Sequence, residues 1–253
     1  FINKSPVEFT AKFGQIVPAS HPDEHNLDLV LLVGLGSFSE LTLNKARSLG
    51  GKIFVELNRL KINRSAMIIE DTHNETISCA SIAANIALGA KLRNYQFLKY
   101  YSKAKADKSR NSQELLDIRL ENTEKAEQIF VDIDHVSEGV FLARDLVSEP
   151  ANILYPDSYA KICSKLAIDG LKVEVIGAKE MNKLGMNALL AVGQGSHQES
   201  KLVVMQYWGA DDKDSPPLAF VGKGVCFDTG GISLKPSLNM DDMKTDMGGS
   251  AVV

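Results

Sequence analysis

Three cysteines in 253 residues, Cys79, Cys163 and Cys226, are too few and too widely spaced for a disulfide framework. Their odd number and their apolar or small neighbours indicate buried thiols in a reducing compartment. Histidine is also scarce. His21, His25, His73, His135 and His197 include no His-x-x-x-His pair, which argues against a histidine-bound zinc and leaves them as surface or loop residues. No apolar run approaches the ~20 residues of a membrane span. A net charge of -4 and an isoelectric point near 5.8 argue against a general nucleic-acid surface. The one basic stretch, Lys99 to Arg110, is interleaved with Tyr100, Tyr101 and Asp107 and reads as a solvated helix end or loop. Neither Ser233 nor Ser237 lies in a glycine-flanked elbow, so serine catalysis lacks its local signature. Gly34-Leu35-Gly36 lacks the third glycine of a phosphate loop and reads as a turn.

What is present is enough apolar material, 44% of residues, to build one large or two ordinary domains. Apolar periodicity predicts a strand over Leu27 to Leu35, and a helix over Ser39 to Leu49 capped by Gly50-Gly51. Strands follow over Lys52 to Leu57 and Ser65 to Glu70, then a helix over Glu75 to Tyr95. The polar stretch Lys103 to Glu127 marks a boundary, which divides the chain into residues 1–120 and 121–253. Beyond it, helices are expected over Asp134 to Val147, ended by Pro150, and over Asp157 to Ala167, introduced by Pro156. Leu171 to Ile176 alternates as a strand, and Ala178 to Leu184 is helical with Gly185 as its cap. Val203 to Trp208 and Leu218 to Val221 complete the strands. The alternation implies an α/β fold with a mainly parallel sheet, whose catalytic groups lie beyond the carboxyl ends of its strands.

Chemistry concentrates after the last of these strands. Leu218-Ala219-Phe220-Val221 breaks into Gly222-Lys223-Gly224-Val225-Cys226-Phe227-Asp228-Thr229-Gly230-Gly231, followed by Lys235-Pro236 and by Met243-Lys244-Thr245-Asp246-Met247-Gly248. Carboxylate oxygens suit divalent ions, and paired ions need carboxylates from more than one segment, which Asp228 and Asp246 provide. Lys223 could ligate only as the neutral amine, a form favoured by burial and a nearby cation. Lys235 could remain charged and stabilise an oxyanion. Asp241 and Asp242 are neighbours that cannot both face one site and read as an exposed helix start.

Taken together, Val221-Gly222-Lys223-Gly224, Phe227-Asp228-Thr229-Gly230-Gly231, Lys235-Pro236 and Asp246-Met247-Gly248-Gly249 resemble the signature of the leucyl (cytosol) aminopeptidase family in order and spacing. Two upstream stretches, Glu149-Pro150-Ala151-Asn152-Ile153-Leu154-Tyr155-Pro156 and Ala191-Val192-Gly193-Gln194-Gly195-Ser196, resemble it too. The resemblance implies that Lys223, Asp228 and Asp246 are metal ligands, that Lys235 is the catalytic lysine and that Met243 lines the pocket for the substrate's first side chain. It also implies two divalent ions, zinc or manganese, and peptide substrates cleaved at an N-terminal, leucine-like residue. A homo-hexamer in the cytoplasm follows on the same ground. So does a macro-like N-terminal domain over residues 1–120, followed by a linker helix and the first part of the catalytic domain over 121–253.

One family element is absent. An Asn-Thr-Asp-Ala-Glu-Gly-Arg segment, which would supply two further carboxylates and an arginine holding a bicarbonate-like base, does not occur in residues 1–253. Three side-chain ligands cannot complete two metal spheres of about five or six positions each. The sequence is therefore expected to be one piece of an aminopeptidase, and Gly248 to Val253 to be the start of a helix. An inactive relative with a structural or DNA-bound regulatory role, and a nucleotide-type binding module at the N-terminus, are the alternative readings.

Overall fold

The computed structural model describes residues 8–19, 29–70, 77–111, 114–168, 170–212 and 214–253. The expectations that fall on residues 27–28 and 75–76, and on His21, His25 and His73, lie outside them. The chain divides into two compact units, Phe1–Phe141 and Leu142–Val253.

The first unit is built on two helices. In α1 (Leu43–Arg59) the Thr42 hydroxyl accepts the Lys45 amide at 3.2 Å, and Ala46, Leu49, Gly50, Ile53, Phe54 and Leu57 recur at helical spacing on the buried face. This corrects two expectations. Gly50-Gly51 does not cap a helix, and Lys52 to Leu57 is not a strand. The glycines lie mid-helix because α2 (Cys79–Asn94) crosses there: a Cβ on Gly50 would sit 2.0 Å from the Ile86 carbonyl oxygen, and one on Gly89 1.8 Å from that of Arg47. Only a residue without a side chain permits such an approach. Ile82 and Ile86 of α2 join Leu49, Ile53 and Leu57 in the main core.

Around these helices, β1 (Ile16–Ala19) pairs antiparallel with β2 (Val30–Val33), and β3 (Arg64–Ile68) pairs parallel with β4 (Leu115–Arg119). β4 lies inside the charged stretch expected to be a boundary. Its alternate residues Leu116 and Ile118 pack on the core, and Asp117 and Arg119 pair with each other, which is ordinary half-buried strand patterning. α3 (Lys103–Ser109) is a short helix with no buried residue.

α4 (Thr123–Ser148) carries the last residues of the first unit and the first of the second. It begins before the expected Asp134. In the second unit, α5 (Pro156–Ser164) starts with proline in its first turn, and the Ser158 hydroxyl accepts the Tyr155 amide at 3.0 Å. α6 (Ala178–Lys183) ends in a Schellman turn: Gly185 has φ +73°, its amide reaches the Asn182 carbonyl at 3.1 Å, and the Met186 amide reaches that of Met181 at 2.9 Å. α7 (Asn187–Gly193) leads to β6 (Lys201–Tyr207), which pairs antiparallel with β5 (Leu171–Gly177).

The α/β class holds, but the sheet described in the second unit is this antiparallel pair, not a parallel one. Leu218 to Val221, expected to be the next strand, has no ladder partner among the described residues, and Leu218, Phe220 and Val221 are 87%, 77% and 96% exposed. An apolar run becomes a strand only when a neighbour satisfies its backbone and covers a face. The core of the unit joins Leu146, Leu154, Tyr159, Cys163 and Met247, with Val203 and Cys226 against them. Gly248–Val252 forms α8. Among the described residues no helix is long and apolar enough to cross a membrane.

Candidate metal centre

Lys223 and Asp246 meet because the glycine-rich segment Gly222 to Gly224 lies directly on the start of α8. The Ser250 amide donates to the Lys223 carbonyl at 2.9 Å. A Cβ on Gly222 would stand 2.5 Å from Ser250 Cα and 2.6 Å from the Gly249 carbonyl oxygen, so Gly222 is required by proximity. Asp246 is reached through the 3-10 segment Met240–Met247, anchored by the fully buried Met247. From these two supports the Lys223 ammonium donates to Asp246 Oδ1 at 2.9 Å and lies 2.7 Å from Oδ2. Oδ2 is buried and makes no hydrogen bond of good geometry, so one carboxylate oxygen retains acceptor capacity.

A second lysine and aspartate meet within a single loop. The Gly230 amide donates to Asp228 Oδ1 at 2.8 Å, an Asx turn that needs Gly230 at φ +90°. The Lys235 amide returns to the Thr229 carbonyl at 2.9 Å, closing the loop. Lys235 Nζ then lies 2.6 Å from Asp228 Oδ2 and donates to the Asp228 carbonyl at 3.3 Å. The four charged residues expected at the site thus form two ion pairs, Lys223–Asp246 and Lys235–Asp228.

The pairs share one field. The Lys235 hydrogen bond holds the Asp228 carboxyl below its ordinary range, helped by the Gly230 amide and by the charges of Lys235 and Lys223. The hydrogen bond to Asp246 raises the Lys223 ammonium against a smaller opposing effect of desolvation, and the negative charges of Asp246 and Asp228 add to the rise. Lys223 is therefore held protonated when no cation competes for its carboxylate, the opposite of the neutral form that ligation requires.

The chemistry of the side chains suits a hard or borderline divalent ion: two carboxylates from separate segments, one of them with a buried oxygen that keeps an unused lone pair, and a lysine that feels the charge of both. Among the described residues no three His, Cys, Asp or Glu side chains cluster as a metal site. Met243 is half-buried on the same 3-10 segment as Asp246. Asp241 and Asp242 are exposed in its first turn, where their carbonyls accept from Lys244 at 3.4 Å and Thr245 at 2.7 Å.

One feature beneath the site escapes sequence reading. Tyr159 of α5 lies 3.1 Å from the Ser250 hydroxyl, 91 residues away in the chain. Cys226 is half-buried against the same core, and the partial burial pushes its thiol up to about 11. The small, apolar setting of Cys226 predicts a buried thiol, and the structure covers it only in part; nothing local marks Tyr159.

The family model for the catalytic domain of the cytosol aminopeptidase family matches residues 141–253, and that for its N-terminal domain matches residues 5–104. A probable cytosol aminopeptidase of Wolbachia pipientis is 44% identical over 248 residues, 97% of this chain and 47% of the relative. One from Rickettsia bellii is 45% identical over 253 residues, 98% of this chain and 49% of the relative. Among solved structures, a tomato leucine aminopeptidase mutant superposes with a TM-score of 0.75 at 28% identity, covering 96% of this chain and 45% of that one. The bottromycin maturation enzyme BotP in complex with Mn gives a TM-score of 0.72 at 29% identity, covering 96% and 49%. The chain spans about half the length of the curated relatives it matches.

Proposed function

Because this chain belongs to the cytosol aminopeptidase family, we propose that it serves a metal-dependent aminopeptidase, releasing N-terminal, leucine-like residues from peptides. The observation that carries the proposal is the meeting of Lys223 with Asp246 in the field of Asp228, beside a second lysine already fixed at Asp228. In this reading Asp246, Asp228 and Lys223 hold metal. Bound zinc or manganese supplies Lewis-acid polarisation of a carbonyl and acidifies water.

The remaining roles belong to side chains. Lys235 is oriented by the Asp228 carboxylate and carbonyl, so it presents its positive charge at a fixed place where an oxyanion develops. Such a charge accelerates reaction because it is in place beforehand and costs no reorganisation in the transition state. Met243 lines the pocket for the side chain of the residue released, its flexible thioether suiting leucine-like shapes. A macro-like domain over residues 1–120, catalytic-domain residues over 121–253, a homo-hexamer, a bicarbonate base and a cytoplasmic location belong to the same reading.

Hydrolysis of a leucine chromogenic amide by the full-length protein, metal-stripped and then resupplied with manganese or zinc, tests it. Metal-dependent release of leucine is the expected result. Absence of turnover with either ion, in protein shown to be folded, overturns the proposal.

A further inference from the structure

Ser250 touches both carriers of the proposed metal pair through the backbone. Its amide donates to the carbonyl of Lys223 at 2.9 Å, and its hydroxyl donates to the carbonyl of Met247, the residue after Asp246, at 2.7 Å. A serine hydroxyl has one proton. With that proton given to Met247, the contact at 3.1 Å must run the other way, from the Tyr159 phenol to Ser250 Oγ. Tyr159 is buried and fixed in the core of the second unit by α5. A serine that only back-bonded within its own helix turn would need no such partner. Here the chain of bonds runs from α5, through one side chain, to the two segments that present Lys223 and Asp246.

The glycines on either side make this bridge the tight point of the site. Gly222 cannot carry a Cβ without meeting Ser250 Cα at 2.5 Å, and one on Gly249 would lie 3.2 Å from the Lys223 amide nitrogen. With the backbones this close, a small shift of α8 along the segment 222–224 changes the Lys223–Asp246 separation directly. We propose that Ser250, held by Tyr159, is a positioning residue that sets the register of Lys223 against Asp246 and so the affinity of the site for a divalent ion. The proposal rests on the reading of those two residues as metal-holding.

The test compares Tyr159→Phe, Ser250→Ala and the double variant in the full-length protein. Two quantities are measured: hydrogen exchange of amides 247–252 without metal, and manganese affinity by calorimetry. Tyr159→Phe removes one oxygen and nothing else, which keeps the core filled. Each single change should accelerate exchange, and should weaken manganese binding about three- to tenfold, the worth of one hydrogen bond. The double variant should be no worse than the more affected single one, because both break the same bridge. Unchanged exchange, additive losses, or a lowered melting temperature with unaltered manganese affinity would each overturn the proposal, the last by showing a merely structural bond. Asp246→Asn serves as the control. If it binds manganese as the wild type does, the metal reading itself fails, and the positioning role falls with it even where exchange has accelerated.

Discussion

Between α1 and α2 of the first unit, backbone approaches backbone across two glycines and the surrounding Leu49, Ile53, Ile82 and Ile86 leave solvent almost completely. Along residues 218–238 of the second unit the arrangement is inverted: Leu218, Val221, Ile232 and Leu238 face outward, and an Asx turn, a returning amide and an ion pair set the shape. Apolar burial is non-directional and tolerates many side-chain arrangements, whereas charge-assisted hydrogen bonds fix individual atoms. The first region thus suits cohesion and the second suits placing lysine nitrogens to within a fraction of an ångström. A substitution in one should show itself in stability, and in the other in chemistry.

The sharpest way to break that contrast is Lys235→Ala. Loss of a preorganised positive charge should lower kcat by about two to three orders of magnitude. Melting temperature and metal content should barely change, since Lys235–Asp228 is a partly exposed pair of small net worth. Steady-state kinetics with calorimetry would check this, and activity within threefold of wild type would remove Lys235 from the chemistry. Gly89→Ala is the converse. Its added methyl would lie 1.8 Å from the Arg47 carbonyl oxygen, so the helices must separate at a cost of about 2–3 kcal/mol of folding stability. Turnover per folded molecule should stay unchanged, and denaturant titration alongside kinetics would show whether the two quantities separate as expected.

Asp246→Asn sharpens the comparison further, because it keeps the shape and removes the charge. Metal bound per subunit, read by native mass spectrometry, should fall below one ion, while stability of the metal-free protein should move by less than ~1 kcal/mol. Unchanged stoichiometry would make Asp246 a structural residue. The smallest effect concerns acid. The Asp228 carboxyl is depressed chiefly by Lys235, so its contribution to stability is complete above the ordinary aspartate range and is lost as pH falls through the depressed value. In Lys235→Met the Asp228 carboxyl should titrate higher, measurable by carboxyl carbon NMR, and that acid-side loss should shrink. No movement of the titration would mean that the Gly230 amide, not Lys235, dominates.

The grouping of the candidate site residues is more legible in the sequence than the elements that carry them. Lys223, Asp228, Lys235 and Asp246 stood out because glycine-dense spacing and alternating charge sign are local, and the structure joins those four residues in two pairs. The split of α1 failed for a physical reason. Gly50-Gly51 has the composition of a cap, and only the position of α2 reveals it as a crossing point. β4 hid in a charged stretch because two apolar residues suffice for a strand with one face on a core. Leu218 to Val221 erred the other way, its apolar content being no substitute for a pairing neighbour. The Tyr159–Ser250 bond was out of reach altogether, since a contact across 91 residues leaves no periodic trace.

The two glycines of the first unit also bear on how this sequence can drift. Where α1 and α2 cross, Gly50 presents its Cα to the Ile86 carbonyl and Gly89 presents its own to that of Arg47, polar contacts made entirely of main chain. Exchanges among leucine, isoleucine, valine and methionine at positions 49, 53, 82 and 86 leave those contacts standing, provided total volume is kept. Neither glycine can change alone without moving a helix. Divergence in the first unit is therefore expected to accumulate around a fixed pair of positions, much as replaceable stones surround a keystone.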